Sequence, residues 1–386
     1  MGTMAIINIG QLVSGDLKQP LLDADTILVR DGKITAVGKR EEVDLSGAEQ
    51  TLDANGCVVT PGLLDSQAHP VLGDWTPRLK MWGYLETAVH SGVTTLISAG
   101  EAHTPGRPRD PAGVKALAIL ASRSYRNFRP LGLKVHGGAV ILERGLMEAD
   151  FAEMARAGVW LIGEIGLGGV NTPEEAVPMV QWARKHGMKV VMHFGGQSMP
   201  EGRTTTLEDV VKVGPDLVSH INGGPTAVRL ADAESLVRDT NLAFDMVMIG
   251  NPKIRMLATE WCKQYGAFHR LSLGSDMPSG FGWMPYAILR LVVEIASLND
   301  VPPETALCLA TGNTARVFGL NTGSITVGKE ADLVVMDAPI GSFGGDALEA
   351  MRLGDVPSIG AVIIDGELRV LKGLYTPIPK RLPTID

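Results

Sequence analysis

The chain has only three cysteines in 386 residues, Cys57, Cys262 and Cys308, and no two of them form a Cys-x-x-Cys pair. So sparse and odd a set excludes a disulfide frame and a zinc knuckle, and it reads as reduced core thiols in a cytoplasmic protein. Positive charge is also scarce: 35 Lys and Arg against 43 Asp and Glu give a net charge of −8. A general nucleic-acid or membrane-surface binder needs a basic face, so neither partner is expected. No apolar run approaches the ~20 residues of a membrane span. The opening MGTMAIINIG lacks a basic region and a cleavage site, so no export signal is expected. Neither GxGxxG nor GxxxxGK[ST] follows an early strand-like run, which argues against an open nucleotide-binding sheet.

What is present is a globular composition, 45% hydrophobic and 20% charged. Its length suits one large domain plus a small one. Near the start, TILVRDGKITAVG sets β-branched residues around a polar Asp31-Gly32 turn, the pattern of a hairpin. The same texture returns in SITVGKEADLVVMD and AVIIDGELRVLKG, broken at Gly328 and Gly366. Residues 1–61 and 323–386 are therefore expected to meet in one small β-sandwich domain.

Residues 62–322 alternate short apolar runs with helical segments. Eight such runs occur: VVTPGLLDSQAH, VTTLISAGEAH, LKVHGG, VWLIGEIG, KVVMHFGG, LVSHING, LAFDMVMIG and RLSLGSD. Between them, segments such as PEEAVPMVQWARKHG carry a Pro at the start and a Gly at the end, signals of helix initiation and termination. This is the pattern of a (β/α)8 barrel of the α/β class, whose active sites collect at the C-terminal ends of the strands.

Nearly every run stops at a polar or ionisable residue, among them His69, Glu101 with His103, His136, Glu164, His193, His220 and Asp276. Packing alone gives a buried strand no reason to end in this way. From His69 the gaps are 95 residues to Glu164, 29 to His193, 27 to His220 and 56 to Asp276. At ~30 residues per βα unit, these five fall at the ends of the first, fourth, fifth, sixth and eighth strands and face one mouth. Three imidazoles and two carboxylates make a nitrogen and oxygen set suited to zinc, iron or similar divalent ions.

These pieces resemble the amidohydrolase superfamily. PGLLDSQAHP is similar to its first-strand motif, GEIG to its bridging-ligand position, MHFG and SHING to its single histidines, and GSD to its last-strand aspartate. LATGNTARVFGLNTGSITVGKEADLVVMD and DGKITAVG resemble the family's sandwich segments, so the likeness spans the chain. It implies a binuclear centre on Gln67, His69, Glu164, His193, His220 and Asp276. Glu164 would bridge the ions, and Asp276 would act as general base and then acid. Gln67 stands where the family usually has the first histidine of His-x-His, and Glu164 where many members carry a carboxylated lysine.

The resemblance further implies a cyclic-amide hydrolase acting on the anionic enamide 6-oxo-1,4,5,6-tetrahydronicotinate, releasing 2-formylglutarate and ammonia in nicotinate breakdown. It also implies a zinc and iron(II) pair and a homotetramer. His136 and Lys253 are the candidates for contacting the substrate. His90 and His186, both near helix C-termini, and His269, before the eighth strand, are read as structural; His103 is placed in a loop over the mouth. Two other readings stay open: a different cyclic amidase of the dihydropyrimidinase or dihydroorotase kind, and a catalytically silent scaffold, which only Gln67 favours.

Overall fold

The computed structural model describes residues 2–386 apart from 73–79, 103, 105, 201, 225–226, 279–281 and 283. Both ends of the chain contribute to two β-sheets. One takes five strands in the order Thr384–Ile385, Gln50–Asp53, Thr3–Ile7, Thr26–Arg30 and Lys33–Gly38. The other takes six, in the order Glu367–Leu371, Ser358–Ile364, Leu333–Asp337, Val58–Pro61, Gln11–Val13 and Leu21–Leu22.

Strand alternation explains how these sheets pack. Met4, Ile6, Ile27 and Val29 share one core with Leu12, Val59, Leu333, Val335 and Ile363 of the second sheet, whereas Ala5 and Leu28 belong to a separate cluster with Val43. The second sheet is apolar on both faces, since Val13, Val58, Val334, Met336, Val362 and Ile364 enter the main core. That is why LVVM and GAVII read as unbroken apolar runs. In the expected hairpin, Arg30 pairs with Lys33, and Asp31 and Gly32 have φ of 47° and 76°. Two positive φ values mark a type I′ turn, whose twist suits a two-residue loop. Asp365 and Gly366 repeat the device between Ile364 and Glu367.

The middle of the chain holds eight parallel strands: β1 (Leu63–Ala68), β2 (Val93–Ser98), β3 (Lys134–His136), β4 (Leu161–Ile165), β5 (Lys189–Met192), β6 (Leu217–Val218), β7 (Phe244–Val247) and β8 (Leu271–Gly274). They pair in the orders β3-β2-β1 and β4-β5-β6-β7-β8. Parallel bridges from Val140 to Ile162 and from Ala68 to Met277 link the edges of the two sheets.

A helix follows each strand, as parallel pairing requires a crossover. Asp110, Thr172 and Asn251 cap three of these helices through their side chains, each with Pro at the next position. The one expected from PEEAVPMVQWARKHG spans Pro173–Lys185. Leu96, Ile162, Val190 and Val218 belong to the large core formed with the helices, while Ile97, Leu161, Val191 and Leu217 form a second core with Phe318.

One irregularity in β4 decides what the molecule can do. Ile162 pairs with Val190 and Ile165 with Met192, so three residues of β4 advance against two of β5. Val190 and Met192 both belong to the helix-side core, as do Ile162 and Ile165. The extra residue of this bulge therefore turns Glu164 to the opposite face, where simple alternation from Ile162 would have sent it toward the helices. Gly163 occupies the crowded point: a Cβ there would lie 2.6 Å from the Ala99 carbonyl oxygen and 2.9 Å from Ile141 Cδ1.

A buried ionic hub joins β3 to the terminal sheets. Lys134 Nζ lies 2.6 Å from Glu330, 2.7 Å from Asp332 and 2.9 Å from Asp365. Asp332 is fully buried and also accepts from the Asp365 backbone N–H and from Thr322 Oγ1. Removing Lys134 would leave the fully buried Asp332 without its counter-charge, while Asp365 keeps Arg129 at 2.6 Å. Lys134→Met is expected to lose about 3–5 kcal/mol of stability in urea unfolding, and an unchanged midpoint would refute the hub. Gly163→Ala is expected to cost about 1–3 kcal/mol through overpacking at the bulge, read in the same assay.

Candidate metal centre

Two overlapping groups of buried donors lie on the face to which the bulge turns Glu164. One comprises Glu164, His193 and His220; the other His69, Glu164 and Asp276; within each, the donor atoms all lie within 4.8 Å of one another. Glu164 belongs to both and divides its oxygens between them. Its Oε1 faces His220 Nε2 at 2.9 Å and His193 Nδ1 at 3.8 Å, while its Oε2 faces His69 Nε2 at 3.5 Å. His69 Nε2 is in turn 3.0 Å from Asp276 Oδ1. A carboxylate with one oxygen toward each donor group has the geometry of a bridging ligand.

The electrostatics call for positive charge. Burial opposes a proton on His69, yet Asp276 and then Glu164 outweigh it and raise its pKa to about 9. The same contest on His220, with Glu164 as the opposing charge, also ends at about 9. Burial pushes Glu164 upward, but His220, His193 and His69 hold it well below the usual carboxylate range. His193 Nδ1 and His220 Nε2 stand 3.1 Å apart, so the two nitrogens need a proton or a cation between them. The far side of each of two imidazoles is already fixed: His69 Nδ1 donates to the Gly100 carbonyl at 3.0 Å and His193 Nε2 to that of Gly196 at 2.8 Å. Backbone partners of this kind set which ring nitrogen is free to bind.

Gln67 lies two residues before His69 at the end of β1. It is fully buried, and neither its amide oxygen nor its amide nitrogen has a hydrogen-bond partner. An unsatisfied buried amide costs ~1–3 kcal/mol, a cost that a bound ligand would remove. The donor set and this orphaned amide fit a pair of divalent ions.

The other expected contacts are not gathered here. His136 ends β3, but its ring packs edge-on against Trp160, 5.2 Å away, on the N-terminal side of β4. Trp160 in turn meets Phe318 in the core at that end. Beyond His136 the chain steps through Gly137 and Gly138 and rejoins the sheet at Val140. Burial, and then Lys134 and Arg129, push the His136 pKa down to about 4, which keeps the ring neutral. Lys253 is exposed in the first turn of the helix Pro252–Tyr265.

His186 caps the Pro173–Lys185 helix, His90 ends the Lys80–His90 helix, and His269 is exposed beside the Gly266 carbonyl. His103 lies outside the described residues. The three cysteines are buried and free. Among the described residues, no helix is long and apolar enough to cross a membrane.

Two acids near the donors, Asp65 and Asp245, were not singled out from the sequence, and Glu101, named there as a strand-end residue, lies near them as well. Asp65 and Asp245 are buried beneath the centre and raised to about 7, by burial first. Glu101, also raised to about 7 by burial, accepts from Leu72 N–H and Thr104 Oγ1 on Oε2, and its Oε1 has no hydrogen-bond partner. The readable signal was a carboxylate inside an apolar run, as in LLDSQA and AFDMV, which costs too much to occur without partners.

Comparison with known proteins agrees with this geometry. The model of the amidohydrolase family matches residues 58–369. The chain is 52% identical over 385 residues to an enamidase of Eubacterium barkeri, covering 100% of both chains. A crystal structure of enamidase superposes with a TM-score of 0.96 at 52% identity, again covering 100% of each chain. An imidazolonepropionase of Staphylococcus aureus is 24% identical over 398 residues, covering 89% of this chain and 90% of its own. With its family model matched over most of its length and a full-length relative at 52% identity, the chain belongs to the amidohydrolase family and is a hydrolase of amide carbon–nitrogen bonds.

Proposed function

We propose that this enzyme hydrolyses the cyclic enamide 6-oxo-1,4,5,6-tetrahydronicotinate to 2-formylglutarate and ammonia. The observation that carries the reading is the Glu164 carboxylate, which directs one oxygen to each donor group. The 52% identity to an enamidase over the full chain supports the choice of substrate. In this reading the eight parallel strands form a (β/α)8 barrel over residues 62–322, and 1–61 with 323–386 form a β-sandwich. The assembly is a homotetramer in the cytoplasm.

Gln67, His69, Glu164, His193, His220 and Asp276 would hold the ions. Bound there, two divalent cations supply Lewis-acid activation of water and of the amide carbonyl. The donor groups are unequal, one with two imidazoles and a carboxylate, the other with one imidazole, two carboxylates and an amide. Such asymmetry supports two different ions, zinc and iron(II).

Asp276 supplies the proton handling. Its carboxylate takes a proton from the attacking water as the oxygen bonds to the amide carbon, then returns it to the ring nitrogen as the carbon–nitrogen bond breaks. His69, 3.0 Å from Asp276 Oδ1, fixes the orientation of that carboxylate. The opened product is an enamine; it tautomerises to an imine, and a second water releases ammonia and leaves the aldehyde.

Purified enzyme is expected to release one ammonia for each ring opened, measured by coupled ammonia detection on this enamide. Ring opening without ammonia would identify a simple cyclic amidase, and no turnover with fewer than one ion per chain would identify a scaffold. Glu164→Gln is expected to keep one of two ions by elemental analysis and to lose about 100-fold or more in turnover, as several kcal/mol of transition-state stabilisation disappear. His186→Ala is expected to change neither. Two retained ions and full turnover in Glu164→Gln would refute the bridge.

A further inference from the structure

We infer that Asp65 and Asp245 are positioning residues, each dedicated to one half of the centre: Asp245 to the His193 and His220 half, Asp65 to the His69 and Asp276 half. The inference rests on the metal-centre reading above. Neither acid belongs to a donor group.

The need for them begins in the backbone. Of the six donors, His220 and Asp276 stand in the left-handed region, with φ of 40° and 59°. A non-glycine residue held there costs ~1–3 kcal/mol and persists only where its surroundings over-determine it. Both residues lie beyond the ends of their strands, β6 and β8, where the sheet ladder no longer fixes them.

Asp245 provides that constraint for His220. It is wholly buried in β7; its Oδ1 accepts the His220 backbone N–H at 2.6 Å and its Oδ2 accepts Ser66 Oγ at 2.8 Å. Its own carbonyl accepts the N–H of Ile221 at 2.8 Å, so residues on both sides of the His220 carbonyl are bound to one aspartate. Ser66 makes β1 the far anchor. The imidazole is thereby held relative to two strands besides its own.

Asp65 performs the matching task across the other seam. It is buried in β1, and its Oδ1 accepts the N–H of Ser275 at 2.8 Å and that of Gln67 at 3.1 Å. The Gln67 carbonyl then accepts the N–H of Asp276 at 2.8 Å, and Met277 O accepts the N–H of His69 at 2.9 Å. One carboxylate oxygen thus ties the turn carrying Asp276 to the strand carrying Gln67 and His69. In both cases the acceptor geometry, more than the charge, does the fixing, so an asparagine can preserve it and an alanine cannot.

Outer partners of metal ligands typically govern 10–100-fold in metal affinity. The test loads wild-type, Asp245→Ala and Asp65→Ala enzymes with zinc and measures ion content by elemental analysis and ion position by anomalous scattering from crystals. Asp245→Ala is expected to bind zinc about 10–100-fold more weakly at the His193 and His220 position and to keep the other ion; Asp65→Ala is expected to show the reverse. Asp245→Asn and Asp65→Asn are expected to restore occupancy. Lys134→Met, which weakens the fold elsewhere, should leave both ions in place, so general destabilisation cannot produce the pattern.

Should Asp245→Ala fail to fold, Ser66→Ala removes only the far anchor and is expected to speed zinc loss to a chelator from that one position by several-fold. Alanine variants that keep both ions at full affinity, or that lose the same ion, overturn the assignment of one acid to each half. A wild-type enzyme that takes up fewer than two metal ions when offered zinc and iron(II) together overturns the centre itself, and the inference with it.

Discussion

A carboxylate buried in an apolar strand is the constraint around which this molecule is arranged. Glu164 is 2% exposed, within the run LIGEI. Leaving a charge there unpaired would cost far more than a folded protein's net stability, so its surroundings must supply positive charge. His220 and His69 do so from two other strand ends and, with His193 beside them, hold the acid ionised against the effect of burial. The bulge at Gly163 is the local geometry that makes this possible, because it directs the side chain toward the imidazoles. Sequence, backbone irregularity and electrostatics thus meet in a single residue.

The terminal sheets bear on the same problem from a distance. Their second layer is apolar on both faces, and it closes the core beneath the parallel strands. The Lys134 cluster then fastens β3 to three acids of the C-terminal segment, Glu330, Asp332 and Asp365. Rigid support matters because His69, His193, His220 and Asp276 sit beyond strand ends, where small displacements alter ligand distances directly. A scaffold tied down at one end leaves the other free to carry strained residues such as His220 and Asp276.

Much of this was legible in the sequence, for reasons that differ by element. All eight apolar runs became strands because each is short, apolar and bounded by turn residues. The Asp31-Gly32 hairpin followed from turn chemistry alone. The donors were legible from spacing, since a βα unit has a nearly constant length. His136 does end its strand, as the run LKVHGG suggested, but its packing against Trp160 depends on a neighbour that the run itself does not display. The β4 bulge could not be read at all: counting alternation along LIGEI sends Glu164 to the wrong face, and only the register against β5 reveals the extra residue. Asp65 and Asp245 were visible as acids in apolar runs, but their partners are backbone amides, which no sequence pattern displays.

The charge balance of the centre completes the physical picture. Around three imidazoles lie Glu164 and Asp276, with Asp65, Asp245 and Glu101 buried close by. Burial raises the last three above the ordinary carboxylate range, to about 7. Donors this rich in negative charge repel one another unless protons or cations lie among them. A proton satisfies one donor or one pair of donors at a time, whereas a divalent cation accepts lone pairs from several donors at once; either leaves the backbone fastenings of His69 and His193 intact. The geometry of these donor groups is thus suited to cations, and binding there would be linked energetically to the folding of the strand ends.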